Sequence, residues 1–188
     1  RPVVVVTATP APDRVRFPAG GTGTILQGQA INAGGERRYL LEAQAEQLMQ
    51  ISASEWPATG PNTLSLAVYR ADSGQLIGQG TADLAYWSGT LPASTDYRVV
   101  VTNRGAAQTF SLQVSIPQPI AFDPDPTGTV INGQLTSTNP NRYVLEVNAG
   151  QMLQASVTSS SGVPVWLEIV GQRAGSLLRS GSRISAWL

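Results

Sequence analysis

The chain has 188 residues, 41% of them hydrophobic and 13% charged, enough apolar material for one substantial core or two small ones. Its twelve basic residues are all Arg and are balanced by twelve acids, so no positive excess is available to hold a nucleic-acid backbone or an anionic membrane. His, Cys and Lys are absent, which excludes an imidazole base, a thiolate nucleophile or metal ligand, and a Schiff-base amine.

The chain opens with "RPVVVVTATPAP". Val3, Val4, Val5 and Val6 are successive β-branched residues with strong strand preference, and Thr7 leads into a Thr/Pro linker, so residues 1–12 form an extended segment and spacer. The apolar run is too short for a signal-peptide core, and no run in the chain approaches the ~20 residues of a membrane span. The richness in Ser, Thr, Gly, Pro and Gln reads as an exported protein whose leader has been removed, with an extracellular or cell-surface location. The lack of Cys fits either redox compartment.

Residues 13–117 read as a first β domain. "RYLLEA" puts Tyr39, Leu41 and Ala43 on one face, the expected core side, with Arg38, Leu40 and Glu42 on the other. "LLEAQAEQLMQ" is expected to be strand, turn, strand, and Gln27-Gly28 marks a hairpin or a bulge within a strand. Tyr97 to Thr102 is a strand, as is Thr109 to Ile116, in which Phe110, Leu112, Val114 and Ile116 face inward and Ser111, Gln113 and Ser115 face water. Turns fall at Gly34-Gly35, Gly60-Pro61, Gly74 and Gly105.

Residues 118–188 repeat much of this. "FPAGGTGTILQGQ" from Phe17 recurs as "FDPDPTGTVINGQ" from Phe122, and "RYLLEAQAEQLMQ" from Arg38 recurs as "RYVLEVNAGQMLQ" from Arg142. "LAVY" at Leu66 matches "LEIV" at Leu167, and Trp87 matches Trp187, with the order of blocks preserved. Tyr143, Leu145 and Val147 therefore take the core side of the second copy, as do Val165, Leu167 and Ile169. The second copy lacks the equivalents of residues 89–117 and is read as an incomplete domain. Short strands with turns at regular spacing make the fold all-β: two tandem antiparallel β-sandwich domains of jelly-roll-like type behind an extended N-terminal strand.

Gly28, Arg38, Tyr39, Gln47, Tyr69, Gly74, Trp87, Gly89, Leu91, Pro92, Asp96, Tyr97 and the closing Phe110 to Pro117 form a pattern that resembles the bacterial pre-peptidase C-terminal domain family. The resemblance covers nearly all of the first copy and about two-thirds of the second. It implies a jelly-roll-like sandwich, an extracellular location and a non-catalytic accessory role. Members that bind calcium use clustered carboxylates; here only Asp123 and Asp125 come close together, so neither a metal nor any other cofactor is expected.

No catalytic residue is expected either. Serines have no His or Lys to activate them, and Glu42 and Glu146 share a solvated face with Arg38 and Arg142, where cross-strand ion pairs are the simplest reading. Glu36, Glu46, Glu55, Asp72 and Asp83 fall in expected turns. Trp87 and Trp187 are equivalent and read as structural, whereas Trp56, in "SEWPATGP", and Trp166, at the outward position of Ser65, are candidate binding aromatics.

The run Val4 to Thr7 has the same letters as Val99 to Thr102, a strand the second copy lacks. This generates the main functional expectation, a structural subunit of an extracellular assembly. Val3 to Thr7 of one molecule would complete the second domain of a neighbour near Ile184, Trp187 and Leu188, building a head-to-tail homopolymer. The alternative is a monomeric binding or targeting module of a secreted hydrolase or surface protein, with another surface protein or a polysaccharide as partner.

Overall fold

Strands with one apolar face need a second apolar face to cover it, and in the computed structural model of this chain they find it in a sandwich of two sheets. The structure describes residues 11–58, 60–80, 85–122, 128–135, 139–171, 177–181 and 183–187, and places no helix among them. They fall into two compact units divided between Val144 and Leu145.

The first unit holds β1 (Asp13–Arg14), β2 (Gly23–Ile31), β3 (Glu36–Ala43), β4 (Leu48–Glu55), β5 (Leu64–Arg70), β6 (Leu76–Gln79), β7 (Tyr86–Thr90), β8 (Thr95–Asn103), β9 (Gln108–Ser115), β10 (Gln118–Pro119) and β11 (Tyr143–Val144). One sheet has the order β1-β3-β8-β5-β6 and the other β2-β9-β4-β7. Apart from β1, which runs parallel to β3, every pairing within these two sheets is antiparallel. Except for the β5–β6 hairpin, successive strands from β2 to β9 alternate between the sheets, the winding of a jelly-roll-like sandwich.

The core lies between the sheets. Tyr39 and Leu41 of β3, Met49 and Ile51 of β4, Tyr97, Val99 and Val101 of β8, and Phe110, Leu112 and Val114 of β9 are all buried. Each such side chain contributes roughly 1.5–3 kcal/mol through removal from water. Tyr39 meets Phe110 edge to face across the sandwich, ring centroids 6.5 Å apart. The Tyr97 hydroxyl donates to the Ala93 carbonyl at 2.6 Å, so its polar tip is satisfied within its own loop.

Most of the expected periodicities hold in this unit. The alternation of β3 is as read from "RYLLEA", and "LLEAQAEQLMQ" is strand, turn, strand, with its two strands in different sheets. Gly28 has φ 65° and sits where the β2–β9 register shifts, so the bulge is the correct half of the Gln27-Gly28 alternative. At the end of β9 the expectation fails: Ser115 is buried and Ile116 only partly so. Ser115 lies opposite Gly23, whose missing side chain lets the backbones close up around it.

Trp87 closes the side of the sandwich. Its indole reaches from β7 of one sheet to β6 of the other and lies against Gly78, where an added Cβ would stand 1.9 Å from the indole nitrogen.

The described residues between Gln118 and Val144 belong to the first unit. Gln118 N–H donates to the Arg142 carbonyl at 3.0 Å, Ile120 N–H to the Val144 carbonyl at 2.8 Å, and Ile25 N–H to Asn139 Oδ1 at 3.0 Å. Tyr143 and Leu145 are half-buried and Val147 is exposed, so the second "RYVLEV" block does not form the core face expected of it.

The second unit holds β12 (Met152–Ser156), β13 (Leu167–Val170), β14 (Leu177–Gly181) and β15 (Arg183–Trp187), paired antiparallel as β12–β15 and β13–β14. Positions matching β4 and β7 pair with each other, as do positions matching β5 and β6. A turn is shared in detail as well. Gln47 Oε1 accepts the Gln44 N–H at 2.8 Å, and Gln151 Oε1 accepts the Asn148 N–H at 2.8 Å. The residue before each Gln has positive φ, Glu46 at 64° and Gly150 at 85°. Val165, Leu167 and Ile169 alternate as expected but are only half-buried, and none of residues 118–122, 128–135 and 139–171 is buried.

Two outcomes follow from this packing. Replacing Gly78 by Ala forces Trp87 off its seat and is expected to cost about 1–3 kcal/mol, with red-shifted tryptophan emission, as read by denaturant titration and fluorescence. Burial pushes the Tyr39 phenol from 10.0 up to about 12, against the opposing Arg37 charge and with a push from Asp13. The folded state therefore keeps a proton that the unfolded state releases. Stability is full below pH 10.0 and falls as pH rises toward about 12, by on the order of 2 kcal/mol. Urea midpoints measured across that window should drop for the wild type and flatten for Tyr39→Phe.

Candidate functional site

Among the described residues, no group of three or more acidic, His or Cys side chains comes together in a way that could hold a metal. Several of the acids lie in surface ion pairs: Arg14–Asp96 at 2.6 Å, Arg37–Asp13 at 2.5 Å, Arg38–Glu36 at 2.9 Å and Arg70–Asp72 at 2.7 Å. Arg38 thus takes Glu36 rather than Glu42 as its partner. The Arg70 guanidinium, hydrogen-bonded to Asp72, holds that carboxyl below its usual range, in an exposed turn.

The most buried amide belongs to Asn103, at the end of β8. Its Nδ2 donates to the carbonyls of Asn32 at 3.1 Å and Ala106 at 2.6 Å; its Oδ1 accepts from Gly105 N–H at 2.9 Å and Gln108 Nε2 at 3.0 Å. Every polar atom of this side chain is engaged within the protein, so its role is to pin the β8–β9 loop.

The two sheets present different outward faces. On the four-stranded sheet, Ile25, Gln113, Ser52 and Tyr86 lie in one cross-strand row flanked by Ser111, Ser54, Gln50 and Ser88, and the Arg142 guanidinium lies against Gln113. On the five-stranded sheet, register places Leu40, Arg98, Tyr69 and Leu76 in a single row across β3, β8, β5 and β6. Arg38, Val100, Ala67 and Gln79 form the next row, and Glu42 and Asp96 lie opposite each other on the other side. Leu76 is 45% exposed, and Leu40, Arg98, Tyr69, Val100 and Ala67 are half-buried at the sheet surface. The Arg98 guanidinium carbon lies over the Tyr69 ring, 5.1 Å from its centre and within cation–π range.

Of the residues singled out in the sequence, Val3, Val4, Val5, Val6, Thr7 and Leu188 lie outside the described residues, as do Asp83, Asp123 and Asp125. Ile184 and Trp187 are in β15, opposite Ala155 and Met152 of β12. Trp56 follows β4 and is 47% exposed; its N–H donates to the Thr109 carbonyl at 3.0 Å, and Thr109 Oγ1 donates to its carbonyl. Trp166 precedes β13, is 75% exposed, and lines a shallow groove with Val157, Val163 and Pro164. These two tryptophans belong to different units. Sequence reasoning missed the Arg98–Tyr69 row, although Leu40 was already an aliphatic residue on the water side of its strand, the one local sign of it.

The first unit is an all-β sandwich. No protein-family model matches the chain, and no characterised protein matches it in sequence. Solved structures similar to it include PliG of Aeromonas hydrophila, a periplasmic inhibitor of g-type lysozyme, at 27% identity and TM-score 0.46, covering 55% of this chain and 94% of that one. Another is the pre-peptidase C-terminal domain of collagenase from Bacillus anthracis, at 16% identity and TM-score 0.46, covering 58% of this chain and 100% of that one. PliG of Salmonella Typhimurium is similar at 20% identity and TM-score 0.42, covering 57% and 99%.

Replacing Asn103 by Ala leaves buried backbone partners unpaired. The expected loss is about 1–3 kcal/mol, seen as a lower denaturant midpoint at unchanged slope.

Proposed function

We propose that this chain is a non-catalytic β-sandwich accessory module of an exported protein, and that it binds another protein through the outward face of its five-stranded sheet. The observation that carries this reading is the Leu40–Arg98–Tyr69–Leu76 row. A guanidinium over an aromatic ring between aliphatic side chains has the composition of an interface hot spot, whereas the outward strand residues of the other sheet are mostly Ser and Gln, with Arg142 lying against Gln113. Catalysis would need converging carboxylates or an activated nucleophile, and the residue types that activate Ser are missing. Composition supports export. The repeated blocks and the shared Gln47 and Gln151 turns support reading residues 118–188 as a second, partial copy of the 13–117 sandwich.

A second reading, self-assembly by strand addition from Val3–Thr7, is favoured by one observation. Among the described residues β12 and β13 each have a single neighbour, where β4 and β5 each have two, so an edge of each is open to a further strand.

The test is comparative capture. Immobilised wild-type chain is exposed to the secreted proteins of the source cell, beside a Leu40→Ser/Leu76→Ser variant and a Ser52→Asp/Tyr86→Ser variant of the other face. A protein held by wild type and by the second variant but lost with the first supports the module reading; retention that ignores the Leu changes, or no retention, overturns it. Light scattering of the full chain beside a version lacking residues 1–9 decides the second reading. Large assemblies that vanish on deletion would put strand addition in place of the module reading.

A further inference from the structure

The charges on the outward face of the five-stranded sheet are unequal in their commitments. Arg14 is held by Asp96, Arg38 by Glu36, and Arg70 by Asp72, each at hydrogen-bond distance. Arg98, on the central strand β8 between Leu40 and Tyr69, has no ion-pair partner among the described residues. It is nonetheless half-buried and laid over the Tyr69 ring, with Val100 beside it on the same strand face. No carboxylate among the described residues takes up the N–H groups of Arg98, and the guanidinium fork matches a carboxylate with two parallel hydrogen bonds. A side chain that is half-buried and rests over a ring has less rotamer freedom to lose when a partner docks.

Resting on the protein-binding reading above, we infer that the partner places an Asp or Glu carboxylate on Arg98, at the centre of an apolar collar that packs on Leu40, Val100 and Leu76. Three features favour a carboxylate on a protein over a phosphate on a nucleic acid. Leu40, Val100 and Ala67 border Arg98 with aliphatic surface, the other cations of this face, Arg38 included, are already neutralised, and the chain as a whole carries no net charge. Glu42, exposed on the adjacent strand position, adds a like-charge penalty against a partner with a broad acidic surface and so restricts the match to a single centred acid.

The probe is a phage-displayed three-helix scaffold with randomised surface positions, selected against the intact chain and counter-selected on the Leu40→Ser/Leu76→Ser variant. Selected binders are expected to carry one Asp or Glu amid apolar positions. They should lose at least tenfold in affinity for Arg98→Gln, keep their affinity for Arg38→Gln, and weaken as salt is raised. Circular dichroism and thermal melts establish that each variant folds as wild type does. Binders that depend on Leu40 and Leu76 but lack acids and ignore Arg98→Gln overturn the carboxylate inference while leaving the protein-binding reading standing. Selection of binders that map to other surfaces overturns both. Self-association of the chain that disappears in Arg98→Gln overturns the inference as well, because the occupant would then be a second copy.

Discussion

The sandwich depends on the pairing of β8 and β9 with the strands on either side of them. β8 lies between β3 and β5, and β9 between β2 and β4, so each is interior to its own sheet. Consecutive in the chain, they are joined by the loop that Asn103 pins, and they bring Tyr97, Val99, Val101, Phe110, Leu112 and Val114 into the core. Without them the five-stranded sheet would separate into a β1–β3 pair and a β5–β6 hairpin, and the four-stranded sheet would lose its link between β2 and β4. The second unit shows what the remaining pieces look like: it holds positions matching β4 to β7, these form two separate pairs, and no residue of β12 or β13 is buried. An apolar face on a two-stranded ribbon has nothing of its own to pack against.

The same central position gives the outward face its character. A side chain on β8 has neighbours on both flanks, so Arg98 can lie across Tyr69 on one side and meet Leu40 on the other. Had Arg98 been on an edge strand, it would have had one flank in water and the freedom to swing away. The stack is thus a property of strand order as much as of the two residues that make it.

Much of this fold was legible in the sequence because it is local. The two-residue alternation of "RYLLEA" and the turn inside "LLEAQAEQLMQ" depend only on neighbouring residues, and they appear as read. The bulge at Gly28 is likewise local, since a left-handed conformation there needs Gly. What was hidden depends on which strand lies beside which. Ser115 is buried because Gly23, far away in the chain, is its neighbour; Asn103 draws partners from Asn32 to Gln108; and the Leu40–Arg98–Tyr69–Leu76 row exists only once four strands are placed in register. The second unit misled for a related reason. Its alternation survives in Leu167 and Ile169, but alternation specifies which side of a strand is apolar and supplies no sheet to cover it.

The late position of β8 and β9 along the chain also sets an order of events. During synthesis on a ribosome, the stretch from β2 to β7 emerges with neither of the two strands that join its pieces. It can therefore form hairpins but no closed layer until residue 115 has followed. A sandwich wound this way stays open until its last two long strands are made, and then closes both layers at once.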